Sequence, residues 1–404
     1  MQRKIFKKFK KTLDKIFPPE YDGIEIEWKW GWNSMLKKTI SIAILLLFVA
    51  SLCVNTAAAE SNARPVLNKQ ILDPELLSWA EQTHGGLGQQ FVCAAGVTLP
   101  EDFGAYSSYF FRLTEVLGEG LIYESASAKV TLNTADGADL SEHFTFTEDA
   151  DKLKATCRNL KELDFLAGGQ TLVLSYSVSL GPKAVLGNPG NVTASYLEYS
   201  LDPRWRGTGV GPVGRTDPAD GAIFTYGIRV SDIDTGTSLP VSGEEFRLRN
   251  EEGQSLLLRE NDLVATWVED DRKATTLVTD EQGAFEINGL APGKYFLEGT
   301  KAADGYVLTD RPVELFLSAD YDSNARVRSL SLSVNGGRET KAIGDNLGTV
   351  ELSMENAYVP ELPPTGGTGT EIFYIFGVLI IFVGCLVFVA KRRERMDPLE
   401  ELLK

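Results

Sequence analysis

The chain has 404 residues, 43% of them hydrophobic, with a formal net charge of −16 and only four cysteines and two histidines. Its length suggests two folded domains, and so acidic a surface argues against nucleic acid or anionic lipid as a partner. His84 and His143 have no convincing ligand set around them and no Cys or His cluster has metal spacing, so no metal or cofactor is implied.

Residues 1–34, rich in lysine and tryptophan, precede Met35. From there Lys37 and Lys38, an apolar run over 40–54 and Ala57, Ala58, Ala59 have the layout of a secretory signal cleaved after Ala59. Residues 1–34 therefore read as a mis-assigned start. Trp30-Gly31-Trp32 require guanine-rich codons just upstream of the Met35 codon, where a ribosome-binding site would lie; a translated extension of the signal is the alternative. The segment 60–365 carries a net charge of about −21.

Between Arg64 and Leu352 the chain is short period-two runs, such as LVLSYSVSL, ASYLEYSL, AFEING and VRSLSLSV, punctuated by Gly, Asn, Asp and Pro. The expected fold is all-β, two tandem Ig-like β-sandwich domains over 60–204 and 222–358. WRGTGVGPVGRTDPADGA turns to Gly, Pro and Asp, and 205–221 reads as the linker. Gly209, Gly211 and Gly214 have G-x-G-x-x-G spacing, but Pro212 interrupts it and no strand-to-helix context surrounds it. Asp320, Asp322 and Asn324 mimic the start of a calcium loop, yet Ala325 replaces the glycine and Ser331 the closing glutamate. No G-x-S-x-G elbow appears, and nothing points to a turnover enzyme.

Of the cysteines, Cys53 lies in the signal and Cys385 in a second apolar run. Cys93 and Cys157 remain, in VCAAGVTL and LKATCRNL, on faces expected to be buried. They form either a disulfide or a pair of inert core thiols. The second apolar run, 371–390, is long enough to cross a hydrocarbon core of roughly 30 Å as a helix. Lys391, Arg392, Arg393 and Arg395 stop transfer there and keep the tail, 391–404, in the cytoplasm.

Leu362, Pro363, Pro364, Thr365 and Gly366, followed by the apolar span and KRRER, resemble the L-P-x-T-G sorting signal of Gram-positive surface proteins. The resemblance places the sorting motif and its linker at 359–370. It implies that a sortase cysteine attacks the Thr365 carbonyl, releases Gly366 onward and passes the acyl group to an amine. Pro363 and Pro364 favour an extended backbone that suits such a substrate. VTLPEDFGAYSSYFFRLTEVLGEGLIYE with AGGQTLVLSYSVSL and GNVTASYLEYSLDP resembles a fimbrial isopeptide-forming domain over about 65–203. FTYGIRVSDIDTGTSLPVSGEEFRLRN with GAFEINGLAPGKYFLEGTKAADGY resembles a Spa-type, collagen-adhesin B-type pilin domain over about 222–358.

These families imply an internal Lys-to-Asn amide bond promoted by a buried acid, in which desolvation lowers the lysine pKa and raises that of the acid. In the second domain the lysine position is Asp232 and the acid position Gly299, and only Asn356 survives. No bond is expected there, and Asp232 should point to solvent or find a new partner. Glu298, one residue from the acid position, should face the opposite side of the sheet. In the first domain Lys69 and Glu115 match the lysine and acid, but Thr193 stands where the asparagine belongs. Asn191 faces the same side, some 6–7 Å along the strand. Either Lys69 joins Asn191, or Lys69 and Glu115 form an ion pair or lie solvated.

The Tyr-Pro-Lys-Asn motif through which shaft pilins polymerise is absent. The expectation is therefore a non-enzymatic, sortase-processed, wall-anchored pilin-like surface protein, an accessory or basal pilin or a short adhesin. A shaft pilin, a passive spacer and a wall-anchored enzyme are the alternatives. Its implied partners are a sortase, a peptidoglycan precursor or pilin lysine as acceptor, and a ligand on a host or neighbouring cell. Membrane contact is confined to the C-terminal helix before processing.

Overall fold

The structure, a computed structural model, describes residues 64–134, 136–149, 151–258, 265–308, 311–322, 326–337, 339–358 and 368–400. The expected signal, its preceding extension and the sorting motif lie outside the described residues.

The first part of the chain forms β1 (Val66–Asp73), β2 (Ser78–Ala80), β3 (Gln82–His84), β4 (Gln90–Thr98), β5 (Phe111–Leu117), β6 (Leu121–Tyr123), β7 (Lys129–Leu132), β8 (Thr145–Asp149), β9 (Lys152–Cys157), β10 (Thr171–Leu180), β11 (Asn191–Ser200), β12 (Val213–Arg215) and β13 (Ala219–Phe224). One sheet runs β2-β1-β4-β10-β6, with β7 also on β10, and the other β3-β13-β11-β5-β9-β8, with β12 also on β11. Alternation explains their faces: in β10, Leu172, Leu174, Tyr176 and Val178 point into the core, as do Leu113 of β5 and Leu197 of β11. Phe103, Tyr106 and Tyr109 close one side with edge-on contacts at 5.1 and 4.9 Å, a geometry that adds about 0.5–1.5 kcal/mol per pair beyond burial.

The second part forms β14 (Tyr226–Asp234), β15 (Glu245–Asn250), β16 (Ser255–Leu258), β17 (Ala265–Val268), β18 (Leu277–Val278), β19 (Ala284–Leu290), β20 (Gly293–Lys301), β21 (Val313–Tyr321), β22 (Val327–Val334), β23 (Glu339–Lys341) and β24 (Thr349–Asn356). A three-stranded sheet β19-β14-β24 faces a larger one, β17-β16-β15-β20-β21-β22-β23, with β18 on β15. Between them lies a core that includes Tyr226, Ile228, Val230, Phe246, Leu248, Leu315, Leu317 and Leu332. Within the small sheet β14 and β24 run parallel, from Gly227 opposite Thr349 to Asp234 opposite Asn356.

The expected linker is corrected by the structure. Residues 213–215 and 219–224 are strands of the first sandwich, both paired to β11, and Ile223 enters the first core, a placement that the glycines and prolines around these short strands obscured. Only Thr225 separates β13 from β14, and Phe224 already belongs to the second core. The junction is bonded on several sides. The Gly85 amide donates to the Phe224 carbonyl, Gly187 to Thr225 and Leu87 to Gly289, each at 2.9 Å. Asn188 reaches across to donate through Nδ2 to the Val327 carbonyl and to accept the Val327 amide on Oδ1, both at 2.8 Å.

The helix α1 (Thr368–Glu400) follows, and its Ile372–Arg392 stretch, with a mean hydropathy of 3.0, is long and apolar enough to cross a membrane.

Candidate functional site

In the first sandwich the alternation of β1, β5, β10 and β11 aims Lys69, Glu115, Tyr176, Thr193 and Ser195 at one point of the core, and all five are buried. Lys69 Nζ donates to Glu115 Oε2 at 2.5 Å and to the Tyr176 hydroxyl at 2.6 Å. Tyr176 donates in turn to Glu115 at 2.9 Å and lies 2.7 Å from the Thr193 hydroxyl, while Ser195 donates to both oxygens of Glu115 at 2.8 Å. The charge pair is thus compensated in the way a buried pair requires, with the remaining lone pairs occupied by hydroxyls. Burial, and then the Glu115 charge, hold the Tyr176 hydroxyl well above the usual phenol range, so it stays a donor.

Asn191 does not join this group. Its Oδ1 accepts from the Val185 amide and its Nδ2 donates to the carbonyls of Val185 and Ile223. Thr193 joins the cluster through the Tyr176 hydroxyl, and it carries no carboxamide. The solvated alternative for Lys69 and Glu115 is overturned, since both side chains have no exposure. Tyr176 and Ser195 were missed in the sequence. Their inward positions in LVLSYSVSL and ASYLEYSL were visible from period two, but nothing marked polar residues there as partners of a charge.

Cys93 and Cys157 are buried free thiols, which corrects the disulfide alternative. Cys93 belongs to β4 in one sheet and Cys157 to β9 in the other. Burial pushes the Cys93 thiol up to about 11 and raises that of Cys157, so both are poor nucleophiles.

In the second sandwich Asp232 does not point to solvent: it is fully buried. Asn356 Nδ2 donates to Asp232 Oδ1 and Oδ2 at 3.0 and 2.9 Å and to Glu244 Oε2 at 2.7 Å. Glu244, just before β15, is the residue that sequence reasoning missed. Alternation backwards from the inward Phe246 places it on the core side. Gly299 pairs with Phe246 in the ladder and supplies no acid, while Glu298 lies on the other face, bonded to Arg249 at 3.0 Å.

Of the calcium-like stretch, Asn324 and Ala325 lie outside the described residues, and the Asp322 carboxylate accepts the Arg326 amide at 3.0 Å; Gly214 of the G-x-G-x-x-G lies in β12 and is followed by strand β13. Lys391 and Arg392 are exposed at the end of the apolar stretch of α1. Arg393 and Arg395 fall within the same helix.

Two family models match the chain. The prealbumin-like fold domain SpaA matches residues 227–329, and the LPXTG cell wall anchor motif matches residues 355–395. With two β-sandwiches ahead of that segment, the chain is a cell-wall-anchored surface protein of pilin-like fold, made as a membrane-bound precursor. Among solved structures it is similar to the pilus 2b backbone protein of group B streptococcus, with a TM-score of 0.52 and 19% identity over 69% of this chain and 97% of that one. It is also similar to the T6 backbone pilin of serotype M6 Streptococcus pyogenes, with a TM-score of 0.51 and 16% identity over 73% of this chain and 70% of that one. For the 35 kDa C-terminal fragment of the major pilin GBS80 of Streptococcus agalactiae the TM-score is 0.51, with 19% identity over 72% of this chain and 99% of that one. No curated protein matches the chain by sequence.

Proposed function

We propose that the chain is a non-enzymatic pilin-type module that a sortase joins to the cell wall through Thr365 and that projects its two sandwiches from the surface as an accessory or basal pilin or a short adhesin. The observation that carries this reading is the order of parts: two sandwiches bonded into a continuous unit, then the anchor segment and an apolar helix with basic residues behind it. A structural role is supported by the placement of the buried ionisable groups, which lie in the two cores with Lys69 and Glu115 wholly unexposed, whereas a hydrolase needs them in a cleft. The acceptor amine is the cross-bridge of a peptidoglycan precursor or a pilin lysine, and ligand contacts belong to the loops.

The test is made in the host. Wild-type protein resists extraction by hot detergent and is released by muramidase. Thr365→Ala leaves it detergent-extractable with α1 still attached. Wild-type protein recovered from detergent with residues beyond 366 intact would overturn the reading.

A further inference from the structure

The second core holds two carboxyl groups with no cation against them. Asp232 on β14 and Glu244 before β15 have relative exposures of 0% and 1%, and both grip the one amide of Asn356 on β24. Among the described residues no lysine, arginine or histidine makes an ion pair or hydrogen bond with either carboxylate. Glu244 Oε1 is buried without a partner. The other groups facing this point are identifiable. Asp234 of β14 is kept ionised by the hydroxyl and amide of Thr237, and Tyr306 lies against it and feels the Asp232 charge. Thr279 contributes only a hydroxyl, which accepts the Glu244 amide at 3.0 Å. On β24 Glu351 and Glu355 are exposed.

Two bare carboxylates so placed would repel in a medium of low dielectric, with a third, Asp234, nearby. Asn356 offers N–H donors but no charge. A bound proton removes one of the two charges and gives the pair a hydrogen to share. We propose that Asp232 and Glu244 hold one proton between them and with it clasp Asn356, so that β24 is seated in the second sandwich by a proton latch that weakens as pH rises.

The position gives the latch a consequence. Asn356 ends β24, and the anchor segment begins around it; β14, its parallel partner, begins one residue after the first sandwich. In a wall-attached chain, tension enters at the C-terminal end of β24 and leaves through the N-terminal end of β14, so the ladder is loaded in shear and Asn356 is the first buried side chain of β24 that it meets. This mechanical role rests on the proposed wall attachment; the proton latch does not.

Burial, then hydrogen bonding to Asp232 and its charge, push the Glu244 carboxyl up to about 8, against roughly 4.3 for an unfolded glutamate. A folded-state value raised in this way gives stability that is complete below about pH 4, declines as pH rises and is gone above about pH 8.

Amide exchange of the full chain in detergent micelles, corrected for intrinsic rates, reads the opening of residues 349–356 directly and requires no attachment to a wall. In the wild type the opening constant should rise about tenfold per pH unit between roughly pH 5 and 7.5, as release of one proton demands, and level off above about pH 8. Strands β4 and β10, remote from the pair, serve as the control. Glu244→Gln keeps the shape, does not titrate and should flatten the profile. A flat wild-type profile, or an unchanged slope in Glu244→Gln, overturns the latch. The wild-type profile decides alone should the variant fail to fold.

Discussion

At the scale of single residues the two cores have treated a charged centre in opposite ways. In the first, Lys69 and Glu115 are retained and three polar residues, Tyr176, Thr193 and Ser195, complete them; in the second, the lysine and acid positions are Asp232 and Gly299, and Glu244 has arrived from a neighbouring loop. Lys69 and Glu115 were legible in the sequence because motif positions name them. Glu244 was not, since only the third dimension brings the start of β15 to the ends of β14 and β24. Asn191 misled for a related reason: it faces inward as its parity requires, but one step along β11 its carboxamide is taken by Val185 and Ile223. Two predictions follow the geometry of the first core. Glu115→Ala leaves a buried ammonium unpaired and should cost about 3–5 kcal/mol in denaturant unfolding, whereas Lys69→Met with Glu115→Leu should restore most or all of it. Thr193 touches Tyr176, which touches Lys69, so Thr193→Asn introduces a carboxamide into the cluster that holds Lys69 and Glu115. Intact mass should show that variant lighter by one ammonia, while the wild type shows no deficit. A wild-type deficit traced to Lys69 would mean that the amide bond forms with Asn191 after all.

Among the elements, strand existence and facing were readable throughout, because long alternating runs such as TLVLSYSVSL and NVTASYLEYS became β10 and β11 with the expected faces inward. The junction was not readable. Glycine and proline in 205–221 signal turns, and turn signals do not reveal that short strands between them will pair with β11. Nor does sequence show that the loop ahead of β11 reaches into the second sandwich, where Asn188 mimics a ladder partner for the backbone of Val327. Close approach is required elsewhere too: Gly289 has φ +82, and a Cβ there would lie 2.1 Å from Leu87 Cγ. These contacts should make the two sandwiches unfold together. Asn188→Ala strands the amide and carbonyl of a buried Val327, each worth about 1–3 kcal/mol when left unpaired. Calorimetry should then resolve two transitions where the wild type shows one. Two transitions in the wild type would mean the junction does not couple the sandwiches.

For the molecule as a whole, the remaining choice is between a single wall-linked unit and a link in a polymer. If a sortase cleaves at Thr365 as proposed, polymer growth needs a second reactive partner for its acyl group, a lysine presented on the surface where a sortase-bound neighbour can reach it. Lys69 cannot serve, being sealed in the first core, and the motif that carries such a lysine in shaft pilins does not occur in this chain. The surface also opposes close stacking: with a net charge of about −21 over residues 60–365, copies laid end to end repel unless joined covalently. Protein released from the wall by muramidase should therefore run on denaturing gels as one mature species with peptidoglycan fragments attached, not as a high-mass ladder. A ladder that disappears in a sortase-deficient host would assign the chain to the shaft. The lysine responsible would then be an exposed one, such as Lys129 or Lys183, and peptide mapping of the ladder would identify it by its linkage to Thr365.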